Sequence, residues 1–156
     1  MTITKSSPAA QTTTPGLPSR VSIEWSGEHR FDTGRSGGKR ATFDGSGIAG
    51  QSPVDALLSA LATCAAIDVV DILAKRRTPV RSLKVDVTGE RVDTIPRRVK
   101  HIALAFRMSG DGIERDQAER AIDLAITKYC SVRDSLREDI GIDWTLELNG
   151  ESGATR

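Results

Sequence analysis

Between Val21 and Leu148 the apolar positions change period several times, and each change predicts an element. Val21, Ile23 and Trp25 alternate with Ser22 and Glu24, the two-residue period of a half-buried strand. Seven glycines fall between Gly27 and Gly50, with a second short strand predicted at Arg40–Asp44 among them, so the pair reads as a hairpin with a wide connection. Ser52 can cap a helix and Pro53 can open it. That helix is predicted to run to about Arg76, where Lys75, Arg76 and Arg77 suit its negative end before Thr78-Pro79 stops it. Leu83, Val85 and Val87 then alternate with polar residues in a strand that reaches Arg91, and a proline turn occupies 93–97. Ile102, Leu104, Phe106 and Met108 form the next strand, ended by Gly110-Asp111-Gly112. Ala118, Ala121, Ile122, Ala125, Ile126 and Tyr129 follow the i, i+3, i+4 rule of an amphipathic helix. Ser131, with Asp134 three residues on, resembles a capping box and predicts a short helix directly after Cys130. Ile142, Trp144, Leu146 and Leu148 make the last strand. The order ββ–α–ββ–α(α)–β, without internal repeats, belongs to the α+β class.

The first helix breaks the amphipathic pattern, because 14 of the 18 residues in 56–73 are apolar. A membrane span is a poor reading of it: Asp68 and Asp71 would each cost about 2.5–3.5 kcal/mol near a bilayer centre, and the run falls short of about 20 residues. In water, a helix that is apolar nearly all round must be covered on every side. An ordered part of roughly 130 residues with two further helical pieces is too small to do this alone. A homodimer with this helix near its centre is therefore expected.

Length and charge narrow the function classes. The 156 residues suit one domain, expected at 19–150, between a disordered tail at 1–18 and a loose C-terminus at 151–156. Residues 1–18 contain no apolar stretch of the length an export signal needs, which points to a cytoplasmic protein. With 22 basic and 21 acidic side chains the net charge is +1, so no electrostatic case exists for nucleic acid or an anionic membrane. Six aromatic residues leave little for a stacking platform. Two cysteines do not make a disulfide scaffold, and they become the scarce chemistry of the chain.

Other motifs weaken on inspection. Gly45-Ser46-Gly47-Ile48-Ala49-Gly50 matches the dinucleotide fingerprint G-x-G-x-x-G, with Asp68 and Asp71 about twenty residues on. The fingerprint needs its third glycine within the helix and its acid at the end of a second strand, whereas Pro53 opens the helix after the motif and both aspartates fall inside it. A plain glycine-rich loop and no cofactor are expected. His29 and His101 stand apart from each other and from any ligand cluster, so no metal is expected. No G-x-S-x-G elbow is present. Cys64 lies mid-helix beside Ala62, Ala65 and Ala66; helix geometry alone favours a buried small hydrophobe, although a thiol on such an alanine-rich face can be approached closely. Cys130 ends one helix just before the amides of the next, where a thiolate would be stabilised.

The segment Gly50-Gln51-Ser52-Pro53-Val54-Asp55-Ala56-Leu57-Leu58-Ser59-Ala60-Leu61-Ala62-Thr63-Cys64 resembles the G-x-[SN]-P-x-[ED]-L-L-x-A-L-x-x-C segment of the OsmC/Ohr family of thiol peroxidases. Lys128-Tyr129-Cys130-Ser131-Val132 is similar to that family's second-cysteine motif. Ala65-Ala66-Ile67-Asp68-Val69-Val70 and Gly89-Glu90-Arg91 resemble its YhfA-like branch. The similarity spans roughly 21–149. It implies an intertwined homodimer with antiparallel sheets around two central helices. It also implies reduction of organic hydroperoxides: the Cys64 thiolate attacks, Cys130 resolves the sulfenic acid as a disulfide, and an external dithiol of lipoyl type restores the thiols. No metal, haem or flavin is implied.

The chain departs from the family pattern at the residues that would support the thiolate. Hydroperoxide-resistance members carry a glutamate directly after the helix-starting proline and an arginine from the N-terminal strand and loop. Val54 stands at the glutamate position and Asp55 follows it, nine residues from Cys64 and on the opposite helix face. Asp68 shares the Cys64 face, four residues on. Arg30, Arg35, Arg40 and Arg91 are the candidate cations, and an Asp68–arginine–Cys64 arrangement completed across the dimer is expected. The alternative to a peroxidase is a redox-sensing or small-ligand-binding protein on the same scaffold.

Overall fold

A computed structural model describes residues 16–156. Most of the segment read as a disordered tail at 1–18 therefore lies outside the described residues. The predicted hairpin is a three-stranded antiparallel sheet instead, formed by β1 (Ser22–Gly27), β2 (Arg30–Gly34) and β3 (Ala41–Asp44). The middle strand, Arg-Phe-Asp-Thr-Gly, is hard to read in sequence because it is short and lies inside the glycine-rich stretch. Its pairing with both neighbours, Phe31 against Trp25 and against Phe43, is what makes it a strand.

Helix α1 (Pro53–Lys75) starts where its cap residues place it. The Asp55 N–H donates to Ser52 Oγ at 3.2 Å, and the Asp55 carboxylate accepts from the Ser52 N–H at 3.1 Å, a closed capping box. After it come β4 (Ser82–Arg91), β5 (Val99–Ser109), α2 (Arg115–Leu124), a widened π-helical turn (Ala125–Tyr129), α3 (Ser131–Asp134), β6 (Gly141–Leu148) and the short β7 (Glu151–Ser152). The last four strands form one sheet in the order β4-β5-β6-β7. The all-antiparallel expectation needs one correction: β5 and β6 run parallel. The helical crossover between them brings the chain back in the same direction, as a parallel pair requires.

The C-terminus expected to be loose is also corrected. Beyond β7 the chain continues along β6: Gly153 N–H donates to Leu146 O at 2.9 Å, and Trp144 and Arg156 exchange backbone bonds of 2.7 and 2.9 Å. The Arg156 guanidinium lies 2.5 Å from the buried Glu119 carboxylate and stacks 6.0 Å from the Trp144 ring. The composition of Glu151–Arg156 carries no strand signal; the open edge of β6 supplies one.

Leu61, Ala65, Val69 and Leu73 of α1, spaced four apart, are fully buried and share one core with Ile102, Leu104 and Phe106 of β5 and with Ala118, Ala121 and Ile122 of α2. By length and composition α1 could cross a membrane, yet this seam is packed into protein. Outside this seam α1 is less covered. Ile67 is 57% exposed, and an apolar groove of about 620 Å³ lies between α1 and the edge strand β4, lined by Ile67, Val70, Leu83, Val85 and Val87 among others. The three-stranded sheet likewise leaves Val21, Ile23 and Trp25 open.

Candidate active site

The two cysteines meet. Cys64 comes from the middle of α1 and is half-buried; Cys130 comes from the junction of the π-helical turn and α3 and is buried. Both are free thiols. The widened turn brings Cys130 there: its N–H donates to Ala125 O, five residues back, at 2.9 Å, and the chain then turns into extended geometry before α3 begins.

Helix α3 starts directly after Cys130, as expected, but the predicted Ser131–Asp134 capping box is not what starts it. The cap is Cys130, whose sulfur accepts the Arg133 N–H at 3.3 Å, while the same sulfur lies 4.0 Å from Leu61 O. Ser131 is thereby released from capping, and its Oγ lies 3.9 Å from Cys64 Sγ.

These contacts divide the two thiols. Burial alone would push the Cys64 thiol up, but the Val132 N–H, the Cys130 thiol, and the hydroxyl and N–H of Ser131 all favour its anion and bring it below the ordinary thiol value. Cys130 moves the other way: burial raises it, the Arg133 N–H offsets part of this, and the neighbouring Cys64 charge raises it further. The amides at the start of α3 thus serve Cys64 more than Cys130, reversing which sulfur the sequence pattern favoured as their beneficiary. The pair holds one acidic, reachable thiol against one buried, less acidic partner, an arrangement suited to attack by the first sulfur and resolution by the second. Beside Cys130 opens a cleft of about 700 Å³, whose walls include Ile126, Lys128, Tyr129 and Leu136.

The expected supporting cast is dispersed within one chain. Asp55 is held by the helix cap, with its carboxyl lowered first by the Ser52 hydroxyl, then by the Ser52 amide and the Arg91 charge. It sits nine residues before Cys64, roughly 13 Å along the axis. Arg30 pairs with Glu28 at 3.1 Å, and Arg40 pairs with Glu24 at 3.1 Å. Arg91 Nε donates to Arg97 O at 2.6 Å, and Arg35 lies in the turn after β2, where its carbonyl accepts the Gly38 N–H. Asp68 is half-buried and joins no ion pair or side-chain hydrogen bond among the described residues. The chain by itself therefore does not form the Asp68–arginine–Cys64 arrangement. The residues that do surround Cys64, Ser131 and Val132, carry no sequence signal for that place, since a cap signature accounts for Ser131 and a backbone N–H has no signature at all.

The glycine loop before α1 also finds its occupant. Asp44, buried at the end of β3, accepts from Ser46 N–H at 2.9 Å, Ser46 Oγ at 2.7 Å and Ala49 N–H at 2.9 Å. The Ala49 and Ser46 donors hold its carboxyl far below the usual range. Gly50 is required for close approach, since a Cβ there would stand 2.1 Å from Thr42 O. The loop wraps a carboxylate of its own chain, in keeping with a structural loop.

The scaffold is α+β, and it brings a thiol on a long apolar helix against a second thiol at a π-helical turn. Residues 44–145 match the family model described as OsmC-like protein, and the chain belongs to that family. It is 35% identical over 127 residues to Protein YhfA of Escherichia coli strain K12, an alignment that covers 81% of this chain and 95% of that protein. Among solved structures, a hypothetical protein from Aquifex aeolicus VF5 superposes with a TM-score of 0.74 at 27% identity, covering 86% of this chain and 99% of the other. The organic hydroperoxide resistance protein OhrB of Bacillus subtilis shares the fold, with a TM-score of 0.56 at 15% identity over 85% of this chain and 98% of its own.

Proposed function

We propose that the protein is a thiol-dependent peroxidase that reduces organic hydroperoxides. The observation that carries this reading is the meeting of two free cysteines of opposite acidity, Cys64 lowered and Cys130 raised. The OsmC family, which includes organic hydroperoxide resistance proteins, supports it. The Cys64 thiolate attacks the distal peroxide oxygen, breaking the O–O bond; the alkoxide takes a proton and leaves as alcohol, and Cys64 becomes a sulfenic acid. The Cys130 thiol then displaces water from that sulfenic acid and forms the Cys64–Cys130 disulfide. An external dithiol, of lipoyl type by family resemblance, takes the oxidising equivalents in two exchange steps and returns both thiols. Such a cycle belongs in a compartment that keeps thiols reduced, which agrees with a cytoplasmic location. Reduced protein mixed with cumene hydroperoxide should lose two thiols per chain as one equivalent of peroxide disappears, faster than with hydrogen peroxide. No consumption with any dithiol present would overturn the reading. Val54 at the family's glutamate position supports the alternative, a redox sensor that is oxidised once and not turned over.

The working unit of this reading is a homodimer with α1 at its centre. The support is the open side of α1, the apolar groove it shares with β4, and the exposed apolar residues of β1. Light scattering should give twice the chain mass for wild type. Ile67→Glu should give the chain mass, because a charge without a partner would be buried at the contact. A monomeric wild type, or an Ile67→Glu protein that remains dimeric, would count against this assembly.

A further inference from the structure

We propose that Ser131 is a positioning residue of the thiol pair: its hydroxyl donates to the Cys64 sulfur as the attacking thiolate and so favours Cys64 over Cys130 as the nucleophile. The inference deepens the peroxidase reading and rests on it for its kinetic arm.

Three observations carry it. First, the Ser131 hydroxyl is not occupied by helix capping, because the Cys130 sulfur takes the Arg133 N–H that an N-cap serine would otherwise accept. Second, the side-chain contact that Ser131 Oγ makes among the described residues is to Cys64 Sγ, at 3.9 Å. When Cys64 is a thiol either atom can donate, but once it is a thiolate only the hydroxyl can, so the contact strengthens on ionisation. Third, the hydroxyl is tied to one sulfur and not the other. Ser131 follows Cys130 in the chain, yet its contact crosses to α1, whereas the Cys130 sulfur faces Leu61 O and the Arg133 N–H. A hydroxyl donor on one member of a thiol pair lowers the acidity threshold of that member and leaves its partner as the resolving thiol. The titratable groups that face Cys64 are Cys130, from the segment packed on α1, and Asp68, four residues along α1 itself; both are retained in the variants below.

The test is the pH profile of alkylation at each cysteine, read by peptide mass spectrometry on full-length reduced protein pulsed with iodoacetamide, for wild type, Ser131→Ala and Ser131→Thr. Ser131→Ala is expected to raise the Cys64 midpoint by about one pH unit, the value of one hydrogen bond to an ionised group at an open site. Ser131→Thr keeps the hydroxyl and is expected to restore most of the shift. Below the wild-type midpoint the first-turnover rate with cumene hydroperoxide should fall about tenfold in Ser131→Ala, and the two proteins should converge at alkaline pH, where both are thiolate. An unchanged Cys64 midpoint in Ser131→Ala, or a threonine variant that behaves as the alanine one, would overturn the assignment. The alkylation arm uses no peroxide: a midpoint that moves as expected in a protein that consumes no peroxide supports Ser131 while the peroxidase reading fails. Peroxide consumption with an unmoved midpoint does the reverse.

Discussion

Cys64→Ser protein is expected to leave cumene hydroperoxide at the rate of buffer alone, a complete loss of the activity proposed for this fold. A serine hydroxyl at that place is not ionised under conditions where a lowered thiol is, and the neighbouring Cys130 cannot take over. Burial raises the Cys130 thiol, and its sulfur is engaged by Leu61 O and the Arg133 N–H. Cys130→Ser should behave differently. It should consume one equivalent of peroxide in a single turn and stop as the Cys64 sulfenic acid, trapped by dimedone, with excess peroxide driving it on to sulfinic acid. The two variants together assign the order of events. If Cys64→Ser and Cys130→Ser lost activity alike in the first turn, or if Cys64→Ser kept it, the division of labour between the sulfurs would be wrong. The pH dependence carries the same sign: reactivity rises as pH rises through the Cys64 value, which lies below the ordinary thiol range, and it should vanish from the profile of Cys64→Ser.

Leu61→Ala should be the most costly single truncation near the site, at about 2–5 kcal/mol of folding stability out of a total of roughly 5–15. Leu61 is fully buried in the seam of α1, one turn before Cys64, and its carbonyl oxygen lies 4.0 Å from the Cys130 sulfur. Removing its branched end leaves a cavity between α1 and the elements packed on it, the interface that also holds the two thiols together. Urea unfolding of reduced protein should show the midpoint fall with the slope unchanged. The rate of disulfide closure after peroxide addition should fall as well, since the segment carrying Cys130 loses part of its seat. A stability loss below about 1 kcal/mol would show that the α1 seam does not carry the core as described.

The elements that were legible in sequence are those with a period long enough to count. The apolar run of α1, with its Ser52-Pro53-Asp55 opening, the alternation of β4, β5 and β6, and the stripe of α2 each repeat over several residues, and all of them form within a few residues of their predicted bounds. Strand β2 and the segment from β7 to Arg156 were not legible. Each is held by a neighbouring strand's open hydrogen-bonding edge and not by a pattern of its own, so nothing in Arg30–Gly34 or Glu151–Arg156 marks them as paired. The parallel β5–β6 pair was hidden for a similar reason: strand direction is a property of the crossover, and alternation reads the same in either direction.

The site divides along the same line. The chain alone singled out Cys64 and Cys130 as its scarce chemistry, because a nearly neutral sequence poor in aromatics, histidine and motif clusters offers little else, and the family resemblance supplied their expected roles. It also placed the start of α1 at Ser52-Pro53, since capping is local, while the part Asp55 plays in closing that cap, and not at the thiols, came from the structure. Which sulfur is the more acidic was decided only in three dimensions. That depends on where the Ser131 hydroxyl and the Val132 N–H point, and both lie sixty-odd positions away from Cys64 in the chain. Hydrogen bonds to a thiolate act over a few ångströms, whereas residue patterns act over a few positions, and at this site the two scales do not coincide.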